Sequence, residues 1–376
     1  MKEIKIGIIG ANWMGSYHAM GFSKVRQTYG TEVVPVFGMV ADMDEEKAKI
    51  AYERFGFEKW STKWQDVIED PSIDLVIIAT PNFTHPEIAI AAANAKKHII
   101  CEKPMANTLE EGCQMVEAAK KNGIISAVGF IYTYCPVQAF AKQLIESGEL
   151  GDFISFRGQF DLDYCADPNT PSTWRQYAKY AGTGALGDVT AHIVSLSDML
   201  VGEIEEVCAV SDIVYKERPK SAGSSEKVAV DTDDQVYLMV KYQNGRIGAM
   251  SSSRVVNGKA AGLGYEIQGT KGTIIYSLDR INEVELFIKG GDPEQKGFKT
   301  LKGNQLHGEY KHISQMNELG VAYHDVLCIQ AHTVLEAIAK NRPLKLDIAY
   351  GHKVDRILAA AQLSDKERRW VKVSEL

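Results

Sequence analysis

Apolar and polar positions follow two rhythms along this 376-residue chain, and the change comes near residue 130. Before it, short apolar runs end in turn residues and give way to helical spacing. "IKIGIIG" (4–10) closes on a glycine, and a helix is expected from Trp13 to Thr28. "VFGMVAD" (36–42) reads as the next strand, starting just after Pro35, where a proline is tolerable. "DEEKAKIAYERFG" (44–56) has helical periodicity and stops at a glycine. "DLVIIAT" (74–80) is almost wholly apolar and rich in β-branched residues, which suits a strand buried on both faces. Helix (85–97), strand ("HIICEKP", 98–104), helix and strand ("IISAVGF", 124–130) follow, the second helix opened by Thr108 with Glu111 as a capping box and running through Lys120. Strands separated by helices imply a doubly wound parallel sheet.

After residue 130 the apolar positions alternate over longer runs with few helices between them: "ISFRGQFDLDY" (154–164), "QVYLMVKYQNGRIGAMSSSR" (235–254) and "YEIQGTKGTIIYS" (265–277). Asn244-Gly245 and Lys271-Gly272 look like hairpin turns, and "SAGSSEK" (221–227) like a flexible insertion. Amphipathic helices are expected within 325–341 and 351–365. The fold class is thus α/β plus α+β. Residues 1–128 form a Rossmann domain, and residues 129–376 form a domain on a large, mostly antiparallel open sheet, its C-terminal helices able to pack back on the first domain.

Composition narrows the function. A net charge of -7 implies no broad basic surface, so nucleic acid is not the expected partner. Six cysteines without a Cys-x-x-Cys pair point to reduced thiols in a cytoplasm, not to disulfides or zinc. The first residues lack an apolar signal core, and the longest uncharged stretch (123–141) is broken by Gly129 and Pro136, so no membrane span is expected. His307, His312, His324, His332 and His352 show no metal-ligand spacing, and no metal is expected.

Candidate chemistry starts at "GIIGANWMGSYH" (7–18), which resembles the dinucleotide fingerprint Gly-x-Gly-x-x-Gly with Asn12 at the middle position. A strand, a tight turn and a helix start aim backbone N–H groups and the helix dipole at a pyrophosphate, which would involve Gly10, Asn12, Trp13 and Met14. A plain strand-turn-helix has the same pattern. Asn tolerates left-handed backbone angles, so Asn12 keeps the turn shape while its side chain points away from the phosphates or bonds them. Asp42, at the tip of the second strand, bonds both ribose hydroxyls of NAD and repels a 2′-phosphate, although it follows Gly15 at more than the usual interval. "ATPNFTH" (79–85) brings Thr80, Asn82 and His85 to a strand end, where ligands sit in such sheets, and "CEKPMA" (101–106) brings Glu102 and Lys103. In "AGTGALGDVTAHIVSLSDML" (181–200) a glycine-rich loop enters a helix, with Asp188 and His192 at i and i+4 on one face. His192 is suited to passing a proton near neutral pH, or is simply a core histidine.

Taken in order, the nucleotide turn, "ATPNFTH", "CEKPMA" and "GALGDVTAH" resemble the Gfo/Idh/MocA oxidoreductase family across essentially the whole chain. The resemblance implies an NAD-dependent sugar or polyol dehydrogenase, a homodimer or homotetramer, in which Lys103 contacts the reacting hydroxyl, His192 is the acid/base and Asp188 orients substrate or histidine. Residues 156–175 look most like the branch holding levoglucosan and other pyranoside 3-dehydrogenases, where this segment brings Trp174 and Arg175 toward the nicotinamide. That implies a pyranoside oxidised at carbon 3, with inositol dehydrogenase, NAD-using glycosidase and non-catalytic sensor as the alternatives. Ile131 and Thr133 stand where relatives often carry Asn and Arg, so polar contacts to a sugar are lost there or supplied by Tyr132 and Tyr134.

Overall fold

The computed structural model describes residues 2–31, 33–314, 316 and 319–376. It divides into two compact units, 1–134 with 321–353, and 135–320 with 354–376. The two units interleave along the chain, and residues 321–353 belong with 1–134. The first unit is discontinuous, because the helix Tyr323–Ala339 packs on its first helix and on the turn Ile131–Tyr134.

In the first unit, strands β1 (Lys2–Ile9), β2 (Val33–Ala41), β3 (Lys59–Ser61), β4 (Leu75–Ile78), β5 (His98–Cys101) and β6 (Ser126–Val128) form one parallel sheet in the order β3-β2-β1-β4-β5-β6. Helices α1 (Trp13–Tyr29), α2 (Glu45–Phe55), α3 (Trp64–Glu69), α4 (His85–Asn94) and α5 (Leu109–Asn122) connect them. Residues along a strand point alternately to the two faces. Leu75 and Ile77 of β4 join one apolar cluster with Phe22, Val25 and Leu335, and Val76 and Ile78 join another with Ile88, Ala92 and Met115. A strand covered on both sides has no polar face to show, which is why its sequence is an unbroken apolar run. The order reverses between β1 and β4, and the crevice at their C-terminal ends is where such sheets hold a dinucleotide.

Two local readings shift. Pro35 lies inside β2, opposite Ile4, rather than before it. It is tolerated because β2 meets β3 only at Met39–Ala41, which leaves the other edge unpaired at Pro35. β3 and α3 carry no periodic signal long enough to be expected.

In the second unit, strands β7 (Phe153–Asp161), β8 (Ile204–Asp212), β9 (Glu217–Pro219), β10 (Lys227–Ala229), β11 (Gln235–Tyr242), β12 (Ile247–Ser253), β13 (Gly262–Gly269), β14 (Gly272–Ser277), β15 (Glu283–Ile288), β16 (Lys299–Lys302) and β17 (Val371–Lys372) follow in turn. Nine of them make a sheet in the order β16-β15-β14-β13-β7-β12-β11-β8-β17, antiparallel except where β7 meets β12. The helix Ala191–Val201 covers β7 on one face and packs against Pro136–Glu146. The other face is open, with Val210, Tyr237, Met239 and Ile247 exposed. β11 alternates buried and exposed residues accordingly. Of the expected insertion 221–227, residues 221–226 lie in the loop of the β9–β10 hairpin, and Lys227 opens β10 opposite Pro219. The β13–β14 turn is centred on Thr270 and Lys271, one residue before the expected pair.

Candidate functional site

The nucleotide turn is shaped by backbone clearance. Gly10 has φ 96°, and a Cβ there would stand 2.6 Å from the carbonyl oxygen of Ala79. A Cβ on Gly15 would stand 1.8 Å from the carbonyl oxygen of Gly10, so only glycine lets α1 approach β1 this closely. Asn12 differs from what its residue type suggests. It sits at φ -75° and ψ -157°, an extended conformation open to any residue. The turn therefore asks for no left-handed angle at that position. Asn12 makes no side-chain cap to α1, and the first turn of α1 itself holds no acidic residue.

Asp42 follows β2 and faces this turn. Its Oδ2 accepts the Ala11 N–H at 2.8 Å and its Oδ1 accepts the Asp44 N–H at 2.9 Å. Both bonds fix the carboxylate while leaving it lone pairs for a ribose.

The loops after β4 and β5 are tied to each other. His85 is fully buried, with Nε2 2.9 Å from the Thr80 carbonyl and Nδ1 3.1 Å from the Pro104 carbonyl. Burial lowers its pKa, which keeps the imidazole neutral. The neutral ring has one N–H and donates it to one of these two carbonyls, so His85 sits between the two loops with both ring nitrogens turned to the backbone rather than to a cofactor. Thr80 Oγ1 lies 2.6 Å from Thr84 Oγ1, and Asn82 donates to Asn107 Oδ1 at 2.7 Å. Glu102 is likewise buried, its Oε1 2.8 Å from His18 Nε2 and its Oε2 accepting the Lys103 N–H at 3.3 Å. Glu102 therefore links α1 to the half-buried Lys103.

Ile131 and Thr133 are buried, and the Thr133 hydroxyl donates to the Phe130 carbonyl at 2.6 Å. Tyr132 and Tyr134 are the partly exposed members of that turn. Burial raises the pKa of both phenols, so each stays a neutral hydroxyl. Tyr132 lies 6.1 Å from Tyr323, which also stacks with exposed Trp13 and meets Tyr17 edge-on. An aromatic strip thus leads from the nucleotide turn to Tyr132. Met14 belongs to the same corner, with its Sδ 3.9 Å from the Tyr323 hydroxyl.

In the second unit, Thr173 and Gln176 form a capping box around the turn Trp174–Gln176, and the Arg175 guanidinium lies 4.4 Å from the Trp174 ring centre. Asp188 is gripped by Tyr164, whose hydroxyl donates to Oδ2 at 2.8 Å, with Arg175 Nε 3.7 Å from the same oxygen. Burial and then the Asp188 charge hold the Tyr164 phenol protonated. Asp188 stands on a π-helical turn, Leu186–Thr190, that leads into Ala191–Val201, so the regular α spacing to His192 is replaced by a wider turn. Such turns recur at functional sites. His192 is buried, with its ring edge-on to Phe160 at 5.7 Å. The structure groups Trp174, Arg175, Asp188 and Tyr164, and it carries His192 on the helix that Asp188 introduces.

A family profile described as "Oxidoreductase family, NAD-binding Rossmann fold" matches residues 4–130, and one described as "GFO/IDH/MocA C-terminal domain" matches 139–275. The chain belongs to the GFO/IDH/MocA oxidoreductase family. It is 36% identical to levoglucosan dehydrogenase of Pseudarthrobacter phenanthrenivorans over 388 residues, covering 100% of both chains. It is 30% identical to scyllo-inositol 2-dehydrogenase (NAD(+)) of Bacillus subtilis over 290 residues, 77% of this chain and 78% of that one. A solved structure of levoglucosan dehydrogenase in complex with NADH and levoglucosan superposes with a TM-score of 0.95 at 36% identity, covering 99% of this chain and 100% of the other.

As a GFO/IDH/MocA oxidoreductase this protein uses NAD, and the bare cradle at Gly10 and Gly15 with the uncrowded start of α1 fits that cofactor. Asp42 is expected to set the choice between NAD and NADP. A 2′-phosphate brings a charge of about -1.5 to -2 beside a carboxylate that is already fixed. Asp42→Ala is expected to lower NAD efficiency by about 10-fold or more, the scale of a lost charged hydrogen bond, and to narrow the gap to NADP. Equal efficiency with both cofactors in the unaltered protein contradicts this. His18, Tyr17, Tyr323 and Tyr164 went unnoticed in the sequence, since each matters through a partner far away in the chain.

Proposed function

We propose that this enzyme oxidises a secondary hydroxyl of a pyranose ring at carbon 3, passing the hydride to NAD. The observation that carries the reading is the full-length similarity to levoglucosan dehydrogenase, together with Lys103, Asp188 and His192 in their motifs. NAD, when bound, supplies the hydride acceptor. Gly10, Asn12, Trp13 and Met14 would hold its pyrophosphate, Asp42 its ribose, and Thr80 and Asn82 border its crevice. His192 takes the proton of the reacting hydroxyl. Asp188 orients that exchange and is itself held by Tyr164 and Arg175. Lys103 is a cation that stabilises the developing alkoxide. Tyr132, Tyr134 and Trp174 supply hydroxyls and a ring face for the sugar, since Ile131 and Thr133 turn inward. The six cysteines, none in a disulfide, suit a reducing cytoplasm, and the enzyme works as a homodimer or homotetramer.

The test is NADH formation across a panel of levoglucosan, glucosides, inositols and acyclic polyols. Levoglucosan or a glucoside should react better than myo-inositol, and acyclic polyols worst. An analogue lacking one recognised hydroxyl leaves a buried partner unpaired, a cost of about 1–3 kcal/mol. NMR of the product should show the new carbonyl at carbon 3. A carbonyl elsewhere, or a clear preference for inositols in line with the second relative, overturns the pyranoside reading.

A further inference from the structure

Residues 231–234 lie between β10 and β11 and have no part in the chemistry above, yet they bond both segments of the second unit that carry site residues. The Asp231 N–H donates to the Gln176 carbonyl at 3.2 Å, and Asp231 Oδ1 accepts the Ala178 N–H at 2.6 Å. The Thr232 hydroxyl donates to the Arg175 carbonyl at 2.9 Å. Asp233 then clamps three consecutive residues. Its Oδ1 accepts the Gly184 N–H at 2.7 Å, its Oδ2 the Leu186 N–H at 2.7 Å, and its carbonyl the Ala185 N–H at 2.9 Å. The fit is tight: a Cβ on Gly184 would stand 1.8 Å from the Asp233 carbonyl oxygen. The segment is itself pinned from behind. Asp234 and Arg254 are both fully buried and pair at 2.9 Å, and Arg254 also donates to Thr232 Oγ1 at 2.9 Å.

Leu186 opens the π turn that bears Asp188, and Ala185 before it has no side chain able to cap that turn. Asp233 supplies the missing cap from a distant point in the chain, its two carboxyl oxygens and its carbonyl accepting three successive N–H groups at the start of the helical segment. A buried carboxylate is costly unless it is bonded, and these amides are the bonds that offset its burial.

We propose that Asp233 is a positioning residue for the dehydrogenase reaction: it fixes the Gly184–Leu186 backbone and thereby Asp188 and His192, while Thr232 fixes Arg175 beside them. The proposal rests on the dehydrogenase reading.

The test is Asp233→Asn in the full chain, which keeps the size but sets an NH₂ group against one of the two N–H donors. NADH fluorescence titration counts the competent sites, and turnover with the best sugar is expressed per NADH-binding site, so a mere loss of folded protein does not register. Turnover per site should fall about a hundredfold, the scale of an ångström of misplacement. NADH affinity should stay within about twofold and the sugar KM should change less than kcat. Turnover per site within about threefold of the parent sinks the proposal. Should the Asn variant bind no NADH, Asp233→Glu gives the answer, because it keeps the charge and both acceptors but lengthens the arm. It should lose about tenfold in turnover per site, and a parent-like value overturns the proposal. A parent protein that forms no NADH with any sugar sinks the dehydrogenase reading and this proposal together. An active parent with an unaltered variant sinks the proposal alone.

Discussion

Alanine in place of His192 is expected to lower sugar-dependent turnover by about 10²–10⁴-fold, the usual contribution of a general acid/base group. NADH affinity should stay within about twofold, since the cofactor cradle is built from Gly10, Gly15 and the start of α1. His192 is buried on a helix that also buries Ile193, Val194, Leu196 and Leu200. Truncation leaves a small cavity there, so the melting temperature should be measured beside the rate. A rate loss under about fivefold in folded protein removes His192 from the proton-transfer role.

Valine in place of Gly10 should act on the other half of the reaction. It meets two obstacles. The backbone angle of 96° lies where side chains are disfavoured, and β-branched ones most of all. The added Cβ would also press on the carbonyl of Ala79, 2.6 Å away. The Gly10 N–H that bonds the Ala41 carbonyl at 2.8 Å would have to move, and with it the turn toward Asp42. NAD affinity should drop by about 10²-fold or more, equivalent to roughly 3 kcal/mol. Isothermal titration with NADH decides it, and parent-like affinity means that the pyrophosphate binds elsewhere.

The first unit was largely readable in the sequence because its strands are covered on both faces, so that Leu75–Ile78 announce themselves by composition alone. β3 and α3 escaped because three and six residues are too few to establish a period. The candidate site divides the same way. Lys103, Asp188 and His192 stand out as candidates because they lie inside contiguous motifs, Lys103 at a strand end and Asp188 with His192 four residues apart, and the family resemblance implies their roles. Their supports do not stand out: His18 lies 84 positions from Glu102, and Asp233 lies 49 from Gly184. Nothing local in the chain marks a partner that only folding brings near. Asn12 is the opposite case. Its residue type suggested a left-handed turn, while the backbone there is extended and makes no such demand.

The helix Tyr323–Ala339 belongs to the first unit although almost the whole second unit is encoded before it. Its Cys328, Ala331 and Leu335 complete the cluster around Phe22 and Val25 of α1. During synthesis that face of α1 must wait for its cover while residues 135–320 are made, which at about 5–20 residues per second takes tens of seconds. The nucleotide-binding unit, most of which is made before residues 135–320, is therefore completed only after them. Throughout that interval it presents an unsealed apolar surface, the kind on which a chaperone acts.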